Sequence, residues 1–356
     1  MKIGILTHHY IKNYGAFLQV YALQETLKKE YPNDEIYVIN YINLKHLLIN
    51  IAGWFRFNPK KDTLKKYFEK IKIPFVFSAI ERKYLQTTKR VYNSRQINKL
   101  SFDVIIIGSD EVWNYDDKKS YNPIKFGYGL NCKNIITYAP SAGKSNIDKI
   151  PKEAIEGLNN IKCFSARDDL SEEIVKKFTN KKCTRVLDPT LIYEFPTYSS
   201  KIVDRLKKEK YILMYYCDNL PKELKETIQN YAKKNNLKIY GAGEYKKWFD
   251  DFPIDINPFE WVEMFKNAEL IFTGTFHGTV FSIKSKKQFF NYLTNKSRIK
   301  KVNSLLSEFN IQNRQIPKEI DKYEKIDYEL VNKKIREVSQ KSKDYLNKSI
   351  CDKKEE

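Results

Sequence analysis

Two rhythms alternate along the chain. Short apolar runs stop abruptly at Gly, Ser, Asp or Pro, and between them lie stretches with apolar residues three and four apart. "IGIL" near the start is a short buried strand, and Ala16, Val20, Leu23 and Leu27 then share one helical face up to Pro32. "EIYVINY", "FDVIIIGSD", "NIITYAPSAG", "IKCFSARDD" and "TRVLDPT" repeat the strand signal, with helices predicted at "PKEAIEGLNN" and "DLSEEIVKKF". Strands separated by helices predict parallel βαβ units. "FPTYSSKIVDRLKKEK" reads as a linker. A second α/β series follows: strands "YILMYYC", "LKIYG", "ELIFTG" and "KQFFNYL", helices "PKELKETIQNYAKKN" and "NPFEWVEMFKNA", and a short helix from about Gly278.

Residues 44–98 break the alternation. "LKHLLINIAGWFRF" is apolar and aromatic, and the basic "NPKKDTLKKYFEKIKIPF" follows it. This segment reads as a contact with anionic lipid headgroups or, as the favoured alternative, a helical insertion packed on its own domain. The tail over 324–348 is a polar helix with a thin apolar stripe of Tyr328, Val331, Ile335 and Val338, expected to pack back onto one domain. No internal repeat is present. The expected organisation is an N-terminal domain over 1–197 carrying the 44–98 insertion, a second domain over 208–316 and a helical tail over 317–356. The expected class is α/β, two Rossmann-like domains facing a cleft, with ligands at the carboxyl ends of strands.

Composition sharpens this picture. With 356 residues, 42% hydrophobic and 14% aromatic, the chain can fill two cores. Sixty-four Lys and Arg stand against 44 Asp and Glu, a net charge of +20. The excess suits a polyanion (nucleic acid, an anionic membrane or a phosphorylated substrate), or it reflects solvated lysines alone. The lysines are dispersed and no zinc-finger spacing or RNA-binding signature accompanies them, so nucleic acid is not an expected partner. The five cysteines form no CxxC pair, and Cys163 and Cys217 lie in apolar runs as core thiols, which favours a reducing compartment. "MKIGILT" is too short for a signal peptide and no run approaches a membrane span. A cytoplasmic protein is expected, peripheral at the inner face of the membrane if the insertion touches lipid.

Four strand–helix junctions carry candidate chemistry. In "THHYIKNYGAFLQ", Asn13, Tyr14 and Gly15 form a polar loop where glycine admits a ligand and a helix N-terminus offers N–H groups; an ordinary turn is the alternative. His8 and His9, adjacent in a strand, point to opposite faces and make no metal pair. In "GSDEVWN", Asp110 either accepts a proton or, more simply, caps a helix, and Trp113 is wall. In "SARDD", Arg167 ends an apolar strand, where its fork meets a carboxylate or phosphate of a ligand or a salt bridge to Asp168, Asp169 or another acid of the chain. In "TFHGT", Thr275 and Thr279 offer hydroxyls, Gly278 opens the helix, and His277 donates or accepts a proton near neutrality or is a satisfied core histidine. No cluster has metal-ligand spacing and no GxSxG elbow occurs, so neither a metal nor a cofactor is expected.

"NYGAFLQVYAL", "GSDEVWN", "YAPSAG", "SARDD", "DPTL", "NPFEWVEMFKNAELIFTGTFHGTVFS" and "NRQI" occur in an order that resembles the polysaccharide pyruvyl transferase family, from residue 3 to about residue 316. The resemblance implies a glycosyltransferase-B-like fold. It implies transfer of pyruvate from phosphoenolpyruvate to a sugar of a cell-surface polysaccharide or its lipid-linked precursor, with phosphoenolpyruvate as a substrate rather than a cofactor. It marks Arg167 for the donor's anionic groups and matches His277 to the family histidine of the second domain. On chemical grounds His277 is then the expected general acid and Asp110 the expected base for the acceptor hydroxyl, and Asn13, Tyr14, Gly15, Ser109, Ser141, Thr275, Phe276, Gly278 and Thr279 are the expected substrate-binding positions. Two other readings stand beside it: a sugar-nucleotide glycosyltransferase of the same fold, and a non-catalytic module for an anionic polymer.

Overall fold

A computed structural model describes residues 1–57, 64–217, 219–253, 255–317 and 319–351. Part of the basic stretch that follows the apolar insertion, 58–63, and the last five residues of the expected tail therefore lie outside the described residues. Two compact units emerge. The first holds Met1–Arg56, Ser78–Glu194 and the C-terminal helix from Ile335; the second holds Phe195–Lys334 and the described part of Phe57–Phe77.

The first unit is built on four parallel strands, β1 (Lys2–Leu6), β2 (Glu35–Val38), β3 (Val104–Ile107) and β4 (Asn134–Thr137), in the order β2-β1-β3-β4. Ile3 faces Val104 and Ile105 faces Ile135 in the registers that align their carboxyl ends. β3 and β4 are buried along their whole length, which explains why β3 is a continuous apolar run and why β4, with Ile135 and Ile136 at its centre, does not alternate. A further parallel pair, β5 (Phe164–Ala166) and β6 (Cys183–Arg185), joins β4 through a bridge between Ile136 and Cys163. The C-terminal helix, Tyr328–Cys351, packs on this unit through Tyr345, whose hydroxyl donates to the Thr137 carbonyl at 2.9 Å, and through Asn134, whose side chain donates to the Ser349 carbonyl at 3.0 Å.

The second unit repeats the plan with β7 (Tyr211–Tyr215), β8 (Lys238–Gly241), β9 (Leu270–Thr273) and β10 (Phe289–Asn291), all parallel, in the order β10-β9-β7-β8. Its helix Pro258–Asn267 starts with a capping box between Asn257 and Glu260, written in the sequence as N-P-F-E.

Three local expectations are corrected. The linker contains a helix, Lys201–Leu206, because Ser200 caps it and Val203 and Leu206 are both buried one turn apart. A helix not anticipated at Lys296–Glu308 buries Val302, Leu305 and Leu306, an apolar stripe too narrow to stand out among lysines and serines. The insertion is helical, at Leu44–Phe55, Leu64–Lys70, Ile73–Tyr84 and Ser94–Asn98, but the first of these buries only His46: Leu47 and Trp54 are half-buried and its other large apolar side chains are exposed. No described helix is long and apolar enough to cross a membrane.

Candidate functional site

At the carboxyl end of β3 the chain makes a tightly determined turn. Gly108 has φ +118°, and a Cβ there would sit 2.2 Å from the Tyr138 carbonyl oxygen, so only glycine fits. Ser109 follows through a cis peptide bond. Its hydroxyl donates to Gln19 Oε1 at 2.6 Å, and its carbonyl accepts from Thr7 Oγ1 at 2.8 Å. Ser109 is thereby fully buried and locks β3 to the first helix, Tyr14–Glu30. Ser141 is also fully buried, with its hydroxyl accepting from the Gly143 N–H at 3.2 Å.

Asp110 caps no helix; turns follow it. Its backbone bridges Pro140, with the Ser141 N–H donating to the Asp110 carbonyl at 2.8 Å, and its φ of +77° turns the side chain out of the strand direction. That side chain meets Arg167, which leaves the end of β5. Arg167 Nη2 donates to Asp110 Oδ1 at 3.0 Å, and Nη1 donates to Asp188. Neither Asp168 nor Asp169 is the acid it pairs with. Asp168 instead caps the helix Asp169–Thr179, and Asp169 pairs with Arg185. Asp188 itself accepts from the N–H and hydroxyl of Thr190 at 3.0 and 2.6 Å. The side chains of Arg167 and Asp188 are 4% and 0% exposed, whereas that of Asp110 is 19% exposed. Burial opposes the guanidinium charge, but Asp188 and Asp110 outweigh it and raise its pKa above the ordinary value. The guanidinium therefore holds two carboxylates of its own chain, and Asp110 is the member turned toward solvent.

Beside this triad lies a residue the sequence reading passed over. Lys125 sits in the 3-10 turn Pro123–Phe126, 1% exposed, with its ammonium nitrogen 2.6 Å from His8 Nδ1. Its backbone carbonyl accepts from the Trp113 indole at 2.9 Å, so Trp113, a fully buried core residue, ties this turn in place. Burial pushes the Lys125 pKa down to about 7, while the nearby Asp110 charge opposes the fall. Burial, then the Lys125 charge, also drives His8 well below the usual histidine range. The Lys125 amine and the His8 ring therefore face each other within hydrogen-bond distance, each with its charged form disfavoured by burial. His8 lies beyond the end of β1, not within it, and its ring is 5.7 Å from that of His46, whose Nδ1 is 3.0 Å from the Tyr10 hydroxyl. His9 points elsewhere, to Asn40 at 3.1 Å, and burial lowers its pKa to about 4. A lysine between Ile and Phe in "NPIKFG" was the available signal, hidden among so many other lysines.

The Asn13–Gly15 segment is not a loop. Asn13 caps the helix, its side chain accepting from the Ala16 N–H at 3.2 Å, and Tyr14 and Gly15 are buried in the first turn.

In the second unit, β9 ends at Thr273 and the helix Phe276–Lys284 begins two residues earlier than Gly278. Thr275 is its cap: the Gly278 N–H donates to Thr275 Oγ1 at 3.0 Å. The Gly278 N–H is thus spent inside the turn, and glycine is required there because a Cβ would lie 2.0 Å from Thr273 Oγ1. Thr279 is fully buried; its hydroxyl donates to the Thr275 carbonyl at 2.9 Å and accepts from Asn291 Nδ2 at 2.8 Å. Phe276 and His277 are half-buried, with ring centroids 5.4 Å apart at 84°. Histidine stands between an aromatic and a glycine because the threonines and the glycine build the turn. Of the five residues in this motif, His277 alone has a side chain able to transfer a proton near neutral pH. Among the described residues no group of three or more His, Cys, Asp or Glu is arranged to hold a metal ion.

Two α/β units with parallel sheets define a glycosyltransferase-B-like fold. Arabidopsis thaliana UGT89C1, solved with UDP-L-rhamnose, shares it at TM-score 0.52 and 9% identity, over 99% of this chain and 98% of that one. A candidate UDP-N-acetylglucosamine 2-epimerase from Listeria monocytogenes does so at TM-score 0.50 and 11% identity, over 99% and 90%. Identities this low carry the fold and nothing further. The chain belongs to the polysaccharide pyruvyl transferase family, whose model matches residues 13–297 and so includes Asp110, Lys125, Arg167 and His277. A search of curated proteins finds no match to the chain.

Proposed function

We propose that this protein transfers pyruvate from phosphoenolpyruvate to a sugar of a cell-surface polysaccharide or its lipid-linked precursor, forming a pyruvate ketal. The family match carries the reading, and the Asp110–Arg167–Asp188 triad supports it with a fixed carboxylate at a strand end. A sugar hydroxyl oxygen attacks C2 of the donor and gives its proton to Asp110. His277 delivers a proton to the methylene carbon, C3, which becomes the methyl group. A second hydroxyl then forms the other C–O bond as the C2–O bond to phosphate breaks, and its proton leaves with the phosphate. Donor and diol thus yield ketal and inorganic phosphate, with no oxidant or covalent enzyme intermediate. Arg167 has both terminal nitrogens on carboxylates, so in this scheme it positions Asp110 instead of gripping the donor. Lys125, as the cation beside Asp110, balances the charge that the donor brings.

Phosphate release from phosphoenolpyruvate in the presence of the glycan acceptor tests the reaction. His277→Ala is expected to lower kcat/KM by about 10²–10⁴-fold, the usual contribution of a positioned acid. Full activity in that variant removes His277 from the scheme. Protection from thermal unfolding by sugar nucleotides but not by phosphoenolpyruvate would replace the reading with a sugar-nucleotide glycosyltransferase on the same fold.

A further inference from the structure

The Leu44–Phe55 helix turns its apolar side chains outward. Leu44, Leu48, Ile49, Ile51 and Phe55 are 55%, 65%, 38%, 43% and 43% exposed, and Phe57 just past its end is 43% exposed. One twelve-residue helix that leaves so many large apolar residues in water forgoes the burial that normally stabilises such a helix. Apolar surface gathered in this way marks an interaction site.

Charge identifies the occupant. From Tyr41 to Lys61 the ionic side chains are Lys45, Arg56, Lys60 and Lys61, and the stretch contains no Asp or Glu. Trp54, Phe55 and Phe57 cluster at the basic end. Apolar residues, aromatic rings and cations without acids match the boundary between acyl chains and anionic headgroups. The helix is also pinned at its buried end. Asn43 accepts from the His46 N–H at 3.2 Å, and the His46 ring meets Tyr10 and His8. His8 in turn contacts Lys125, beside the Asp110 triad.

We infer that the Leu44–Phe55 helix is an interfacial anchor that lies in the surface of an anionic bilayer, with Leu44, Leu48, Ile49 and Ile51 among the lipid chains and Lys45 at the phosphates. The purpose of the anchor rests on the proposed function: a lipid-linked glycan acceptor resides at that surface.

Co-sedimentation of the full chain with vesicles tests it, in the absence of donor and acceptor. The protein is expected to pellet with phosphatidylcholine–phosphatidylglycerol vesicles, less with phosphatidylcholine alone, and less again at high salt. Leu48→Asp with Ile51→Asp, two exposed positions, is expected to weaken binding at least about tenfold. Circular dichroism checks that this variant folds as wild type. Wild-type protein that stays in the supernatant, or a double variant that binds as wild type does, overturns the anchor. So does a concentration-dependent dimer that the double variant dissociates, which would make the helix a contact between two copies. Phosphate release from phosphoenolpyruvate is read without vesicles, so failure of either assay leaves the other result standing.

Discussion

At the end of β3 the chain gathers full charges, whereas at the end of β9 it gathers hydroxyls and backbone N–H groups. Both lie at the carboxyl ends of parallel strands, the places where such sheets present ligands. In the first unit, Arg167 is clamped by Asp188 and Asp110, and Lys125 is buried against His8. In the second, Thr275, Gly278, Thr279 and Asn291 hydrogen-bond to one another, and His277 is the residue of the motif with a side chain that titrates near neutrality. The difference teaches that one motif type can serve two ends. The charged junction fixes the direction of a carboxylate at a cost in desolvation, and the neutral one shapes a turn that carries an imidazole at little electrostatic cost.

That contrast can be broken most forcefully at Arg167. Arg167→Ala leaves Asp188 buried without its cation and is expected to cost about 3–5 kcal/mol of stability, read as a fall in the denaturant midpoint. Arg167→Lys is expected to recover only part of this, since a single ammonium cannot hold two carboxylates in the geometry of a fork. A loss as small as that of an exposed ion pair would show that the charged junction is not the costly one.

A smaller effect should appear in the pH dependence of stability. Lys125 has a folded pKa of about 7 against an ordinary 10.5, so its penalty on the folded state is complete below about 7 and fades as pH rises toward 10.5. Between these values the unfolded chain binds the extra proton, and stability should rise by up to about 1.4 kcal/mol per pH unit from this group. Lys125→Met should flatten the profile between about pH 7 and 9, a window above the range where the lowered His8 titrates. An unchanged slope would mean that the lysine is not desolvated as its position indicates.

The smallest expected effect sharpens the neutral side. Thr275→Ala removes one cap hydrogen bond and should cost about 1 kcal/mol. Thermal unfolding measures it, and a loss equal to that of Arg167→Ala would erase the distinction between the junctions.

Residues 3–6, 104–107 and 270–272 were legible because strands buried on both faces of a parallel sheet read as short unbroken apolar runs. The helix at Lys201–Leu206 was not, because a six-residue helix with two buried side chains leaves almost no periodic signal. Asp110, for which a helix cap was the simpler of two readings, shows a second limit, since Asp after Ser looks the same before a helix and before an ion pair.

What the sequence determined by itself was the set of strands, the α/β class and the positions of Asp110, Arg167 and His277, because hydrophobic period and short motifs are local properties. What only the tertiary structure decided was partnership: that Asp188 and Asp110 share Arg167, that Lys125 finds His8 at a separation of 117 residues, and that the apolar helix at Leu44–Phe55 faces water. Such pairings depend on which strand ends the crossovers bring side by side, and no local pattern encodes that.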